Sequence, residues 1–224
     1  YNMASTIGFK RATFFIYDKD DQVEDTYVVE GKANKGGTTE ASISGLSAEA
    51  VKVYASNVAY YVAQRGTGSV ELSLSILDIT DVLAARLLGR KENEDGIYLV
   101  GENTEPPYAG VLMESAALDG QPIFFALLKG KFRLDEQNLA TNEDELSEPE
   151  ADELEGQFVA DAHGNTYATA RGEDKREALK QLFYNIAGDS SETPRENNSG
   201  LVADEDKVDN TPVADNTEGS NDTP

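Results

Sequence analysis

The amino-acid sequence predicts a mainly β domain with two short helices. Most segments before the C-terminal stretch alternate polar and apolar residues, which is the pattern of strands that bury one face. One segment, 66–89, passes from strand alternation into helical spacing almost without a loop. The chain has 224 residues, enough to bury a sizeable core without a disulfide or a structural metal. We therefore expect sheet packing to hold the fold together.

The positions of the strands along the sequence follow from these alternating runs and from the turn residues between them. A β-branched and aromatic run ends at the charged turn DKDDQ, and a Pro-Pro turn separates the last two of the early strands. Strands are expected at 13–17, 27–30, 39–47, 51–55, 68–77, 97–100 and 108–115.

Segment 66–89 is a strand followed directly by a helix. The strand has an apolar face, formed by Val70, Leu72, Leu74 and Ile76, and a polar face, formed by Glu71, Ser73 and Ser75. Asp78 or Thr80 can cap the helix, and Gly89 can end it in the left-handed conformation. The preceding GTGSVE lacks the third glycine of a dinucleotide-binding turn and precedes a strand, so it favours a hairpin turn.

A second hairpin is expected from segments 122–134 and 152–161. The even positions of the first segment form an apolar face: Phe124, Ala126, Leu128, Phe132 and Leu134. The last odd positions of the first segment are the basic Lys129, Lys131 and Arg133. In the second segment, the odd positions Glu153, Glu155 and Gln157 are polar. Antiparallel pairing would set the basic row against the acidic row, and each such pair contributes about 0.2–1 kcal/mol. We expect this charge ladder to fix the register.

The folded part ends in a helix, and an acidic tail follows it. Residues 173–187 place Leu179, Leu182, Phe183 and Ile186 on one stripe, and Gly188 stops the helix. The composition after Gly188 is too polar to offset the chain entropy that folding would cost. We therefore divide the chain into an N-terminal arm (1–6), a folded domain (7–188) and a disordered acidic tail (189–224).

The net charge of −23 is unevenly distributed. Segment 135–155 has ten carboxylates and no Lys or Arg, and segment 189–224 has ten carboxylates against two basic residues. Because such a chain repels phosphate backbones, specific nucleic-acid binding is not expected. No apolar run approaches the roughly 20 residues of a membrane span, and the first residues lack the pattern of a signal peptide, so we expect no membrane partner.

Motifs for catalysis or ligand binding are weak. With no cysteine and one histidine, His163 in the turn-like DAHGNT, catalytic triads and multi-histidine metal sites are not expected. GKANKGG at 31–37 lacks the Lys-Ser/Thr ending of a phosphate loop, and DKDDQVED at 18–25 lacks the ligand spacing of a calcium loop. We expect no cofactor, no metal and no enzyme activity.

The order of the segments resembles the major tail tube proteins of long-tailed (siphovirus) bacteriophages of Gram-positive hosts. The resembling segments are IGFKRATFFIY, VKVYASN, GTGSVELSLSILDITDVLAARLLG, IFFALLKGKFRLDEQ and ELEGQFVAD, then the terminal amphipathic helix. Together they cover residues 7–187. The resemblance implies a β-sandwich or split barrel with one packed α-helix, a long hairpin arm and a C-terminal helix.

The resemblance also implies a structural role. Such proteins assemble as hexameric rings that stack into a tube, through which double-stranded DNA passes without specific binding during ejection into the host. Implied partners are further copies of the chain and the tape measure, tail terminator and distal tail proteins. The implied location is the virion tail, with assembly in the host cytoplasm.

An acidic lumen would repel DNA, so the duplex would slide without sticking. Our candidates for residues that face this lumen are Glu71, Glu153 and Glu155. Loop 135–152 would reach a neighbouring subunit or ring, and the tail would lie outside the tube.

Two alternatives remain open at this point. A monomeric acidic β-sandwich that binds cell surfaces or carbohydrates is indicated by aromatic residues at strand spacing: Phe14, Phe15, Tyr17, Tyr54, Tyr60 and Tyr61. A hydrolase with paired carboxylates is the other. However, the carboxylates crowd into the loop and the tail, where burial would not raise the pKa of a general acid.

Overall fold

The computed structural model describes residues 6–32, 36–55, 57–137 and 151–188. The strands are β1 (Thr6–Tyr17), β2 (Val23–Val29), β3 (Gly37–Ser44), β4 (Val51–Ala55), β5 (Val58–Ala63), β6 (Val70–Leu77), β7 (Lys91–Glu92), β8 (Tyr98–Leu99), β9 (Ala109–Ala117), β10 (Pro122–Arg133), β11 (Asp152–Val159) and β12 (Tyr167–Arg171). The helices are α1 (Asp81–Leu87) and α2 (Arg176–Tyr184), with a 3-10 turn (Glu173–Lys175) before α2. The mainly β prediction is confirmed; β5, β7 and β12 were not predicted.

Eight strands form one antiparallel sheet in the order β2-β1-β9-β10-β11-β6-β3, with β12 pairing β10 beside this path. β12 pairs with the first half of β10, and β11 pairs with its second half. The hydroxyl of Thr38 on β3 donates a hydrogen bond of 3.1 Å to the carbonyl of Phe9 on β1, so the curled sheet brings β3 back towards β1. Among the described residues the barrel stays open.

A β-bulge in β10 exchanges the faces of this strand. Leu127 pairs with Val111, whereas Gly130 pairs with Ala109, so β10 contains one extra residue between these pairs. Before the bulge the even positions pack against α2; after it, Phe132 packs into the interior of the curled sheet. The prediction of one apolar face along the even positions of 122–134 is therefore wrong, because an inserted residue breaks the period of two.

Helix α1 follows β6 directly and covers the interior of the curled sheet. The side chain of Thr80 accepts a hydrogen bond from the Leu83 amide, which is the predicted N-cap. Leu83 and Leu87 are buried in the core. Gly89 has φ +66°, and a Cβ there would lie 2.2 Å from the Glu105 carbonyl oxygen. The predicted glycine stop is confirmed because both the conformation and the space exclude a side chain.

Helix α2 packs on the other face of β1, β9 and β10. Its core residues are Leu179 and Phe183, with Ile186 just after its end, and the ring of Phe183 stacks on Phe15 at 4.2 Å between centroids. Leu182, predicted on the same stripe, is 38% exposed. The strands β1, β9 and β10 are thus covered on both faces, which explains their nearly continuous apolar runs.

Strands β4 and β5 form a separate hairpin that does not pair with the main sheet. Its base is closed by a hydrogen bond of 2.9 Å from the Gly68 amide to the Gly45 carbonyl. We call residues 46–67 the arm. The turn at Gly66 does not join paired strands, since β6 pairs with β3 and β11. The predicted hairpin turn is therefore wrong at this position.

Several predicted features lie wholly or partly outside the described residues. They are the N-terminal arm (1–6), the centre of GKANKGG, most of loop 135–152 and the acidic tail (189–224). In the part of the chain that is described, no helix has the length and apolar character needed to cross a membrane.

Candidate assembly surfaces

Four strands form a stretch of sheet with one polar side: the C-terminal half of β10, then β11, β6 and β3. The pairing aligns three rows across these strands. The rows are Lys131, Gln157, Glu71 and Ser44; Arg133, Glu155, Ser73 and Ser42; and, on the last three strands, Glu153, Ser75 and Glu40. We call the side of the sheet that carries these rows the polar face. It brings all three predicted lumen residues, Glu71, Glu153 and Glu155, onto one surface.

The opposite side of these strands belongs to the core. Leu72, Leu74, Leu154 and Phe158 are buried there, because successive strand residues point to opposite sides. Gly130 makes room for this packing, since a Cβ at Gly130 would lie 2.5 Å from the Phe158 ring. The alternation of apolar and polar residues along each strand therefore gives these four strands one buried apolar side and one polar side.

The predicted charge ladder is shorter than expected. β10 and β11 do pair antiparallel, and Arg133 lies opposite Glu155, with which it forms an ion pair. This contact raises the pKa of Arg133. Lys131 lies opposite Gln157, and Lys129 lies opposite Val159. The register therefore sets one pair of opposite charges, rather than a whole row, across the two strands.

The two lysines of the expected ladder bind carboxylates elsewhere. Lys131 contacts Glu105 at 3.0 Å, and Lys129 contacts Asp21 at 2.5 Å. Both ammonium groups also lie over the ring of Tyr108, at 5.0 and 4.7 Å from its centroid. Cation–π contacts of this kind add about 0.5–1 kcal/mol at exposed sites. The lysines thus link β10 to the loops that precede β2 and β9.

The four-stranded stretch has an open edge on each side. β3 ends the strand order; Thr38 at its start contacts Phe9 of β1, but the outer edge of β3 has no ladder partner among the described residues. On the other side, β9 pairs with β10 only as far as Gly130, whereas β10 continues to Arg133. Within the described ranges, residues 131–133 therefore have a strand partner on the β11 side alone. Unpaired strand edges bind other strands readily.

The arm exposes apolar side chains that a lone domain would normally bury. Each of the following is more than half exposed: Val51, Val58, Tyr60, Tyr61 and Val62. An isolated two-stranded hairpin is at best marginally stable in water. Contiguous exposed apolar residues mark interaction surfaces. The arm is therefore a candidate contact surface, and its aromatic content is the signal that the sequence offered.

A buried carboxylate joins β9 to β1 and to the start of α2. Glu114 on β9 is 3% exposed and accepts hydrogen bonds from Lys10 and Arg11 on β1 and from Arg176 at the start of α2. Burial alone would raise the pKa of Glu114, but these donors outweigh it and lower the pKa to about 2. Sequence reasoning missed this residue, although a lone acid in the apolar run VLMESAA was a visible signal.

The predicted loops are turns with their polar groups satisfied. The carboxylate of Asp18 accepts from the amides of Asp20 and Gln22, and that of Asp161 accepts from the amides of His163 and Asn165. These are Asx-type turns, as the solvated-turn interpretation predicted. Among the described residues, no three His, Asp or Glu side chains converge as metal ligands.

These features define a structural subunit with surfaces for association. A family model of the phage tail tube protein matches residues 3–192, which is most of the chain. The chain therefore belongs to the phage tail tube protein family. This family assigns it a structural role in the virion tail, where it assembles with further copies of itself and with other tail proteins. No curated protein matches the chain.

Proposed function

We propose that the chain assembles as hexameric rings, which stack into the tail tube, and that the polar face lines the lumen through which double-stranded DNA passes. The observation that carries this proposal is the four-stranded stretch with a polar side, an apolar side and two open edges. Such a stretch can join copies side by side into a closed wall, which removes its unpaired edges.

The charge of the polar face suits the passage of DNA. Its four carboxylates, Glu40, Glu71, Glu153 and Glu155, outnumber its two basic groups, Lys131 and Arg133, and Arg133 pairs with Glu155. A lumen with an excess of carboxylates repels the phosphate backbone, which prevents the duplex from adhering during ejection. We infer that the other partners are the tape measure, tail terminator and distal tail proteins of a siphovirus tail, and that assembly takes place in the host cytoplasm.

Electron microscopy of the purified chain tests the ring. At high concentration we expect rings or tubes in negative stain, with six-fold symmetry in end views. The alternative, a monomeric binding module, draws on the exposure of Tyr60 and Tyr61, which could stack on a sugar. A chain that stays monomeric and also fails to polymerise on a tail initiator would favour that alternative.

Charge reversal tests the lumen. Tubes of Glu71→Lys should retain short double-stranded DNA at low salt, whereas wild-type tubes should not, because each ring would gain positive charge along the channel. Glu177→Lys on α2 is the matched control, since Glu177 is exposed on a helix that packs on β1, β9 and the first half of β10, away from the four strands of the polar face. Equal DNA retention by the two variants would place Glu71 outside the lumen.

A further inference from the structure

We propose that neighbouring copies join through β3 of one copy and the end of β10 of the next, with Glu40 of the first against Arg133 of the second. This inference rests on the proposed ring and specifies its seam. β3 and the end of β10 are the two open edges of the same four-stranded stretch. A single head-to-tail contact between them therefore satisfies both edges, and its repetition closes a ring.

The strand directions are compatible with this seam. β10, β11, β6 and β3 alternate in direction because each neighbouring pair is antiparallel. With an even number of strands, β3 runs opposite to β10, so copies in the same orientation meet as an antiparallel pair. The alternation of the sheet thus continues across the seam without a reversed subunit.

The rows across the sheet define what an unstaggered seam would contain. Following the row of Arg133 across the sheet leads to Ser42, so continuing it without stagger would pair Ser42 with Arg133 of the next copy. Glu40 would then face Asp135, and two carboxylates directly opposite each other destabilise a strand pair. Barrel closure also requires strands to be staggered. The unstaggered seam is therefore disfavoured on both grounds.

A shift of two residues removes the repulsion. Glu40 then lies opposite Arg133, and Ser42 lies opposite Lys131. The period of two keeps these side chains on the polar face. The shifted register does not compete with β9 for the edge of β10. The last pair between β10 and β9 is Gly130–Ala109, and Lys131 is the first β10 residue beyond it. Arg133 is 54% exposed and contacts both Glu155 and Asp135; because its guanidinium has five donors, it can bind Glu40 as well.

The core side of β3 supports the same contact. Ala41 pairs with Leu74 in the ladder and shares its side of the sheet, yet Ala41 is exposed, because the outer edge of β3 has no ladder partner among the described strands. In the shifted register, Ala41 lies opposite Phe132 of the next copy. The seam therefore extends the apolar layer as well as the polar face.

Disulfide trapping tests the register directly, because the chain has no cysteine of its own. Under mild oxidation, the assembled double variant Ser42→Cys with Lys131→Cys should give a ladder of covalent oligomers on denaturing gels. Ser42→Cys with Asp135→Cys is the matched control and should give little product. Preferential trapping of the control pair would overturn the proposed register. Wild-type rings without trapping in either pair would overturn the seam but leave the ring intact.

Charge exchange provides a second, independent measurement. Glu40→Arg should abolish rings while leaving the melting temperature of the monomer unchanged, since Glu40 is exposed on an edge strand. Glu40→Arg combined with Arg133→Glu should restore rings. Normal rings from Glu40→Arg alone would refute the seam, and absence of rings from the wild type would refute both the seam and the proposed function.

Discussion

The hydroxyl of Tyr17 donates a hydrogen bond of 2.8 Å to the carbonyl of Leu128, at the bulge where β10 exchanges its faces. Tyr17 is 2% exposed, and burial raises the pKa of its hydroxyl, so the group stays protonated and able to donate. The carbonyl would otherwise lose its ladder partner at the inserted residue. The Tyr17 side chain on β1 thus stabilises the β-bulge, and after this bulge Lys131 and Arg133 of β10 lie on the polar face.

Tyr17→Phe should lower the free energy of unfolding by about 1–3 kcal/mol, because it leaves the buried Leu128 carbonyl without this donor. Chemical denaturation monitored by circular dichroism would measure the change. Tyr60→Phe is the matched control, since Tyr60 is 78% exposed, and it should change stability by less than about 0.5 kcal/mol. Equal effects of the two substitutions would contradict the role given to Tyr17.

Glu114→Gln should destabilise the domain by up to about 3 kcal/mol at neutral pH, as expected from a pKa lowered from 4.5 to about 2. The folded-state pKa is depressed, so this stabilisation is complete above pH 4.5 and disappears as the pH falls towards 2. The stability difference between wild type and variant should therefore narrow across that range. Denaturation curves at several pH values would measure it.

The control for Glu114 is Glu177→Gln, which removes a carboxylate that pairs with Lys180 on the exposed side of α2. Exposed pairs contribute little, so stability should change by less than about 0.5 kcal/mol at any pH. A gap between wild type and Glu114→Gln that stayed constant from pH 7 to pH 2 would show that the charge of Glu114 is not what stabilises the fold.

Gly110→Ala should destabilise the domain by about 2 kcal/mol or more. A Cβ there would lie 2.6 Å from the Leu128 carbonyl oxygen, 2.6 Å from the Phe183 ring and 2.7 Å from the Tyr17 hydroxyl, so β9, β10 and α2 would have to separate. Gly101→Ala is the control, because a Cβ at Gly101 meets no atom within 4 Å. Thermal melts of the two variants should differ clearly, and matching melts would contradict this packing.

Tyr60→Ser combined with Tyr61→Ser should leave the melting temperature of the monomer unchanged but impair assembly. Both rings are exposed on the arm, so they contribute little to the fold and are available to another copy. Sedimentation velocity would measure the fraction in rings or tubes. Leu182→Ser on α2 is the control and should assemble normally. Normal assembly of the double variant would remove the arm from the list of subunit contacts.

Truncation after Gly188 should preserve both folding and assembly. The last core residue before this point is Ile186, and the amide of Gly188 closes the turn by binding the Asn185 carbonyl at 3.3 Å. Extending the truncation to residue 176 would remove Phe183 and Ile186 and should unfold the domain. Circular dichroism and electron microscopy would distinguish the two. Loss of folding in the shorter truncation would show that residues 189–224 belong to the domain.

The sequence by itself determined the elements that depend on neighbouring residues. Alternation specified β6 and its polar and apolar sides, and Thr80 and Gly89 specified the limits of α1, because caps and strand faces are local properties. The order of segments also pointed to the family that the comparison confirmed.

The tertiary structure alone decided which distant residues meet. The bulge before Gly130 is set by pairing with β9, so no period within 122–134 could reveal it. The register between β10 and β11 places Lys131 opposite Gln157 rather than Glu155, which shortens the charge ladder. The open edges of β3 and β10 likewise follow from the strand order. Register and strand order arise from contacts between residues far apart in the chain, whereas sequence periodicity reports only the nearest neighbours.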